Sequence, residues 1–159
     1  MSTLDTIKEK VKEQLDALDA EEYKITLKSQ NEGYVFCNRL LGTDEILEDK
    51  RFVILANKNI IEKLNVYITP ISQKYDYYLI DNVLEEELHE IKATYTICCL
   101  IEPFYKNFQV VIKTENLTIP DELKDKHLKN LNIKYGNAHI DSRISPFRLA
   151  GFKNMTKKY

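Results

Sequence analysis

LNVYITPISQKYDYYLI, residues 64–80, contains two apolar segments joined by a polar link, and the architecture depends on how these segments pair. Residues 64–69 and 75–80 are rich in β-branched and aromatic side chains, which favour strands. The link between them contains a proline and polar residues, which is typical of a hairpin loop. The sequence therefore predicts two antiparallel neighbouring strands.

The flanking segments alternate between helical and extended patterns. Helical patterns occur at residues 3–20, 44–64, 84–93 and 120–131, and Thr43 or Asp44 is the predicted N-cap of the second of these helices. Extended patterns occur at residues 23–27, 64–69, 75–80, 95–101 and 108–114, and residues 33–41 form a further short strand or an irregular segment. This order predicts an α+β fold with a mainly antiparallel sheet backed by helices on one face.

The chain has 159 residues, of which 43% are hydrophobic and 30% charged, as in ordinary globular domains. This length predicts one domain over residues 1–159, with an N-terminal helix and strands over 1–45 and a core over 46–159. No apolar run approaches the roughly 20 residues that cross a bilayer, and the acidic, amphipathic start is unlike a signal peptide. We therefore expect a cytoplasmic protein without a membrane partner.

Several kinds of site lack their usual sequence signals. The three cysteines form no CxxC pair, which argues against structural zinc and a disulfide framework. The histidines are scattered. A rolling-circle initiator or relaxase needs a histidine pair for its metal, so the abundant tyrosines alone do not support that class. The chain also lacks GxxxxGK[ST], the signature of P-loop ATPases.

Positive charge is concentrated near the C-terminus, although the net charge is −2. Residues 135–158 read YGNAHIDSRISPFRLAGFKNMTKK, in which Asp141 is followed by arginines and lysines and by no further acid. A carboxylate can hold a divalent cation while neighbouring cations bind phosphate oxygens. The alternative is a solvated basic tail after a turn.

Asp81 is the second candidate acid. It ends the hydrophobic stretch YYLI, and an acid at the end of a buried strand is costly unless it is paired or metal-bound. The alternative is that Asp81, with Asn82, caps the helix that begins near Leu84. For the tyrosines at 75, 77 and 78, packing is the expected role, although aromatics on a sheet can also stack on bases.

Three stretches occur in a fixed order: NVYITP to YYLIDN (65–82), EPFYKNFQVVIK (102–113) and DSRISPFRLAGFKNMTKK (141–158). Together they resemble the motifs of RepB-type primases of plasmids and mobile elements, in the archaeo-eukaryotic primase superfamily. In that family the first motif ends in paired acids, the second resembles TSPGN(Y/F)Q, and the third resembles DxxRxxRxPGFxNxK. The resemblance covers about residues 50–159 and implies an RRM-like primase palm.

The resemblance also implies a role for each matching residue. Asp81 and Asp141 would be catalytic and would hold Mg²⁺ or Mn²⁺. Asn82 stands where the second acid of the pair is expected; its amide oxygen can coordinate a cation but brings no charge, so metal affinity should fall. The implied nucleotide- or DNA-binding residues are Lys106, Asn107, Gln109, Arg143, Arg148, Asn154 and Lys157.

The implied function is a DNA-dependent primase that makes short primers on single-stranded DNA from nucleoside triphosphates by two-metal chemistry. A replicative helicase is a further partner suggested by this family. The alternative is a degenerate primase-like domain that binds single-stranded DNA or a replication partner without catalysis, because Asn82 replaces an acid.

Overall fold

The computed structural model describes residues 2–29, 33–115, 121–135, 146–152 and 154. The helices are α1 (Thr3–Leu18), α2 (Thr43–Ile46), α3 (Asp49–Ile60), α4 (Glu85–Thr94) and α5 (Asp121–Tyr135). The strands are β1 (Glu22–Ser29), β2 (Gly33–Leu41), β3 (Asn65–Ile71), β4 (Tyr75–Leu84), β5 (Thr96–Phe104), β6 (Asn107–Glu115) and β7 (Phe147–Arg148).

The chain divides into two compact units, one of Met1–Ile71 with Pro146–Tyr159 and one of Ser72–Ser145. The first contains a sheet in the order β2-β1-β3-β7, and the second a sheet in the order β4-β6-β5. Every strand pairing in the described parts of both sheets is antiparallel. The predicted α+β class is confirmed, but the single predicted sheet is replaced by two.

In the first unit, helices cover the face of β1 that carries Tyr23. The Tyr23 hydroxyl donates to the carbonyl of Leu15 in α1 at 2.9 Å. Helix α1 begins with a capping box, in which the Ser2 hydroxyl accepts from the Asp5 N–H at 3.1 Å. It ends at Asp19, whose φ of 51° is left-handed. Three of the apolar side chains that predicted this helix, Val11, Leu15 and Leu18, are buried.

The helix predicted over residues 44–64 is two helices, because the chain is extended at Glu48 between α2 and α3. Ile46 and Phe52 are both buried. In one continuous helix these positions would lie about 120° apart at 3.6 residues per turn, so the break lets both side chains reach the core. The N-cap is Gly42, whose N–H donates to Glu45 at 3.2 Å, rather than Thr43 or Asp44.

The predicted hairpin of β3 and β4 is wrong, because the two strands belong to different sheets. Strand β3 is hydrogen-bonded to β1 on one edge and to β7 on the other. Since both edges of β3 are occupied, β4 pairs with β6 instead. The Ser72 hydroxyl accepts from the N–H groups of Lys74 and Tyr75, which turns the chain into β4.

In the second unit, α4 and α5 pack on one face of the sheet. Buried side chains of β4, β6 and α4 form its core: Tyr78, Ile80, Val83, Leu88, Ile91, Val110 and Ile112. His127 of α5 makes an edge contact with the Tyr78 ring at 5.3 Å. The packing role predicted for the tyrosines therefore holds for Tyr78, and Tyr77 is also buried.

Strands β5 and β6 form the predicted hairpin, with Tyr105 and Lys106 at its turn. Cys98 lies buried in β5, and burial raises the pKa of its thiol to about 11. The thiol therefore stays protonated near neutral pH and is a poor nucleophile or metal ligand. None of the described helices combines the length and the apolar character that crossing a membrane requires.

Candidate active site

Strand β4 contains a bulge between Ile80 and Val83, where its register with β6 shifts. One extra residue on β4 places Asp81 and Asn82 together opposite Gln109. The sequence predicts that the strand ends at Asp81, whereas it continues to Leu84. The first and second motifs thus meet directly across two paired strands, which lie about 4.8 Å apart.

The bulge depends on the backbone of Asn82, whose φ is 57°. This left-handed conformation is strained for most side chains, but asparagine and aspartate adopt it more readily than others. The bulge also keeps both Ile80 and Val83 in the core, at 0% exposure each. Without it, every residue after position 81 would face the opposite side of the sheet.

Asp81 is held by a local hydrogen bond, in which the Asn82 N–H donates to its Oδ1 at 3.0 Å. The second oxygen, Oδ2, has no hydrogen-bond partner within the described part of the chain. The side chain is partly exposed. The capping role is excluded, because the N-cap of α4 is Leu84, whose N–H is bonded by Glu87 at 3.1 Å. Asp81 is therefore free to bind a cation.

Asn107 follows the hairpin turn and lies opposite Leu84. Its Oδ1 is buried without a hydrogen-bond partner within the described ranges, and such an acceptor is costly unless a ligand or water satisfies it. Lys106 has a φ of 55°, so it occupies a left-handed position where the similar motif has glycine. Its ammonium lies 3.4 Å from the Glu85 carboxylate. The Lys106 ammonium is thus held beside the bulge of β4.

Tyr105 is a candidate that sequence reasoning missed. It is 84% exposed at the hairpin turn, and the Lys106 ammonium lies 5.5 Å from its ring centroid. A free aromatic face beside a cation suits stacking on a nucleic-acid base. The signal in the sequence was an aromatic residue in the short turn between two strands, because a side chain in such a turn has no core to pack against.

In the first unit, β3 contains the NVYITP stretch and β7 belongs to the third motif. These two strands pair with each other. Arg148 lies opposite Tyr67, with its guanidinium 5.2 Å from the ring centroid. The guanidinium also donates to Asn65 Oδ1 at 3.1 Å. Its remaining donors have no partner among the residues that the structure describes. Arg148 is therefore oriented by protein contacts and keeps donors for an anion.

The segment after Arg148 is fixed by close packing. The side-chain amide of Gln14 donates to the Arg148 carbonyl and accepts from the Ala150 N–H, at 3.1 and 2.7 Å. Gly151 has a φ of 85°, and a Cβ there would lie 3.2 Å from Ile7. The glycine of the third motif is thus needed for both its backbone conformation and its proximity to α1.

Not every predicted site residue can be placed. Asp141, Arg143 and Lys157 lie outside the described residues. Asn154 is described and partly exposed. Within the described ranges, no group of three or more His, Cys, Asp or Glu side chains is positioned to hold a metal ion. Asp81 and Asn82 offer carboxylate and amide oxygens, and these hard donors fit Mg²⁺ or Mn²⁺ rather than softer metals.

The comparisons with known proteins agree with these motifs. Residues 52–159 match the model of the RepB DNA-primase N-terminal domain. A DNA primase of Acidithiobacillus ferrooxidans is 33% identical over 98 residues, which is 60% of this chain and 28% of that primase. The chain thus spans less than a third of the length of this relative.

Two solved structures are similar over nearly the whole chain. The catalytic domain of primase RepB′ in complex with initiator DNA has a TM-score of 0.73 at 25% identity, and the match covers 94% of this chain and 78% of that one. Primase RepB′ has a TM-score of 0.75 at 25% identity, with coverage of 96% and 52%. The antiparallel α+β fold is therefore shared with a primase.

Proposed function

Because the chain belongs to the family of RepB DNA-primase N-terminal domains, we propose that it is a primase domain that joins nucleotides on a single-stranded DNA template. The observation that carries this proposal is the bulge of β4. It presents a partly exposed Asp81, with a free carboxylate oxygen, directly across from the second motif. A rigid strand that displays an unpaired acid beside polar groups suits nucleotidyl transfer.

Two carboxylates, Asp81 and Asp141, would hold Mg²⁺ or Mn²⁺, with the amide oxygen of Asn82 as a neutral ligand. When bound, divalent ions of this kind neutralise triphosphate charge and lower the pKa of an attacking hydroxyl. The protein's own part is to fix the position of Asp81. The N–H of Asn82 orients its Oδ1, and the packing of Ile80 anchors the strand that carries it.

The second motif would bind the incoming nucleotide. Lys106 is half-exposed beside the bulge and can contact a phosphate after exchanging its partner Glu85. The Asn107 side chain is partly exposed, and its Oδ1 can accept a hydrogen bond from the nucleotide after a rotation that brings this buried atom to the surface. Gln109 lies opposite the two bulge residues and is partly exposed. These three side chains offer one charge and two amides within one end of a sheet.

Template DNA would be bound by the cationic third motif. We assign this role to Arg143, Arg148, Asn154 and Lys157. One structural relative, the catalytic domain of primase RepB′, is in complex with initiator DNA. The free donors of Arg148 suit a phosphate of such a strand.

Plasmid or mobile-element replication is the proposed setting, in the cytoplasm and with a replicative helicase as a partner. Residues 1–159 would act as one primase-like catalytic domain, with an N-terminal helix and strands over 1–45 and the palm core over 46–159.

Primer synthesis on mixed-sequence single-stranded DNA tests the proposal. We expect labelled oligonucleotides when nucleoside triphosphates and Mn²⁺ or Mg²⁺ are supplied together. Omitting either the metal or the template should abolish the product. A protein that binds DNA but makes no oligonucleotide under any of these conditions would refute the enzymatic assignment.

A binding module without catalysis is the second candidate, and Asn82 is the observation that favours it. Asn82→Asp restores a carboxylate, and aspartate tolerates the φ of 57° found there. We expect this variant to bind Mg²⁺ about tenfold more tightly, because a charged ligand replaces a neutral one. Isothermal titration with Mg²⁺, alongside primer synthesis, measures both effects.

Asn82→Gly is the matched control for this substitution, because glycine keeps the left-handed backbone but supplies no ligand. It should bind Mg²⁺ no better than the wild type. Synthesis in the wild type that rises in Asn82→Asp supports the enzyme. Synthesis that occurs in Asn82→Asp alone identifies the natural chain as the binding module.

Tyr105→Ala should weaken single-stranded DNA binding by about 5- to 150-fold, since stacking on one base is worth about 1–3 kcal/mol. The ring is 84% exposed, so its loss should leave the fold unchanged. Fluorescence anisotropy with a labelled oligonucleotide measures the affinity. Tyr105→Phe should keep the wild-type affinity. Leu123→Ala is the matched control, because it removes an exposed apolar side chain of the same unit. Equal weakening by the Phe and Ala substitutions would exclude stacking.

A further inference from the structure

A cavity of about 330 Å³ lies in the first unit, between the sheet and α3. Its floor is made of buried aliphatic side chains from β1, β2, α2 and α3: Ile25, Leu27, Leu41, Ile46 and Leu55. This volume is near the lower end of the roughly 300–1,000 Å³ found for ligand cavities. It has room for one or two large apolar groups and is too small for a whole helix.

The rim of the cavity is cationic. Lys50, Arg51 and Lys58 of α3 line it, together with Glu48. Neither Lys50 nor Arg51 forms an ion pair within the described residues. The Nε of Arg51 is buried and has no hydrogen-bond partner among the residues that the structure describes. A buried guanidinium nitrogen without an acceptor is unfavourable, and the other nitrogens of this guanidinium can bind an incoming carboxylate.

Ile54 adds an apolar group between these cations. It lines the cavity and remains 57% exposed. Its neighbour Val53 is 42% exposed on the same helix. Exposed branched aliphatic residues beside an apolar cavity mark a binding surface more often than isolated exposed residues do.

The chemistry of the cavity favours a peptide over a nucleic-acid base. A base placed on the aliphatic floor would bury its edge donors and acceptors without partners, which is costly. A leucine or phenylalanine side chain leaves no such group. The rim cations also span positions 50 to 58 of α3, about 12 Å at 1.5 Å per residue. This spread suits several carboxylates along a chain better than a single anionic head group.

We propose that this cavity binds an acidic peptide segment of another protein, which inserts one or two large apolar side chains and places carboxylates against the rim. The apolar anchor would supply most of the affinity, and the rim cations would select an acidic chain. The assignment concerns an interaction surface of the first unit and goes beyond primer synthesis. The peptide-binding assignment does not depend on whether the protein is a catalyst.

Fluorescence anisotropy with the fluorescein-labelled peptide Asp-Asp-Glu-Asp-Leu-Phe tests the proposal. We expect saturable binding that weakens as salt rises. Ile54→Glu should lower the affinity for the peptide by about tenfold or more, because it places a negative charge at the mouth of the cavity, where it repels an acidic peptide. Lys50→Glu should lower it by about threefold to tenfold. Both side chains are exposed, so the variants should fold, as circular dichroism will verify.

Matched controls separate the cavity from general charge effects. Ile61→Glu alters an apolar residue that is 71% exposed and does not line the cavity. Lys10→Glu reverses an exposed charge on α1. Both variants should bind the peptide like the wild type. Primer synthesis should be unchanged in Ile54→Glu, which distinguishes loss of this site from loss of the catalytic one.

Three results would overturn the proposal. One is equal affinity for the neutral peptide Asn-Asn-Gln-Asn-Leu-Phe, since the rim would then select nothing. Another is an equal loss of peptide affinity in Ile54→Glu and in its control Ile61→Glu, since the peptide would then not depend on the cavity. The third is full displacement of the peptide by single-stranded DNA together with equal loss of DNA binding in Ile54→Glu, which would make the cavity part of the DNA track.

Discussion

Asp81→Asn is expected to reduce primer synthesis by about a thousandfold or more, which corresponds to about 4 kcal/mol of transition-state stabilisation. The substitution keeps the size of the side chain and a hydrogen-bond acceptor for the N–H of Asn82. It removes the charge that holds the metal. Because Asp81 is partly exposed and its contact is local, the fold should be unchanged.

The measurement is the initial rate of dinucleotide formation in Mn²⁺, with circular dichroism as the check on folding. Glu86→Gln is the matched control, because it neutralises an exposed acid in the first turn of α4 within the same unit. It should retain full activity. Template affinity, measured by anisotropy, should be similar in both variants, since neither side chain is assigned to DNA binding.

Asp141→Ala should have an effect of the same order, because the resemblance assigns it the second carboxylate of the metal site. If Asp81→Asn and Asp141→Ala both synthesise primers at the wild-type rate, neither acid holds a catalytic metal and the primase assignment fails. If Asp81→Asn alone retains the rate, Asp81 is not a metal ligand and the site must be sought elsewhere.

Much of the fold could be predicted from local pattern. The helical spacing of apolar residues in α1 and the β5–β6 hairpin both follow from the sequence. The error concerned the partner of β3. Strand character is local, whereas the partner of a strand depends on distant residues, and here β1 and β7 occupy both edges of β3. A two-residue strand such as β7 has no periodic pattern to detect.

The candidate site could likewise be predicted only in part, because its residue types are local but their arrangement is not. Asp81 and Asn82 could be identified by motif, but the bulge that places them opposite Gln109 depends on the register with β6. The resemblance predicts a nucleotide- or DNA-binding role for Arg148, but the sequence does not predict its contact with Tyr67 across β3 and β7. Motif spacing identifies the residue types, whereas long-range strand pairing determines which of them meet.

Breaking the ion pair between Lys124 and Asp76 is expected to lower the free energy of unfolding by about 1–3 kcal/mol. The Lys124 ammonium lies 3.1 Å from Oδ2 and 3.3 Å from Oδ1 of Asp76. The side chains are only 9% and 13% exposed. Helix α5 thus contacts β4 through a nearly buried charge pair, and removing one partner takes a close opposite charge away from a group that has little access to water.

Asp76→Val and Lys124→Met should each show this loss in urea denaturation followed by circular dichroism. The double variant should recover most of it, because two apolar side chains need no partner. Lys126→Met, an exposed lysine of the same helix, is the matched control and should change the free energy of unfolding by less than about 0.5 kcal/mol. Losses in the single variants that add up in the double variant would show that the pair is not coupled. Recovery in the double variant would instead show that the two charges are coupled and that apolar side chains at these positions can supply comparable stability.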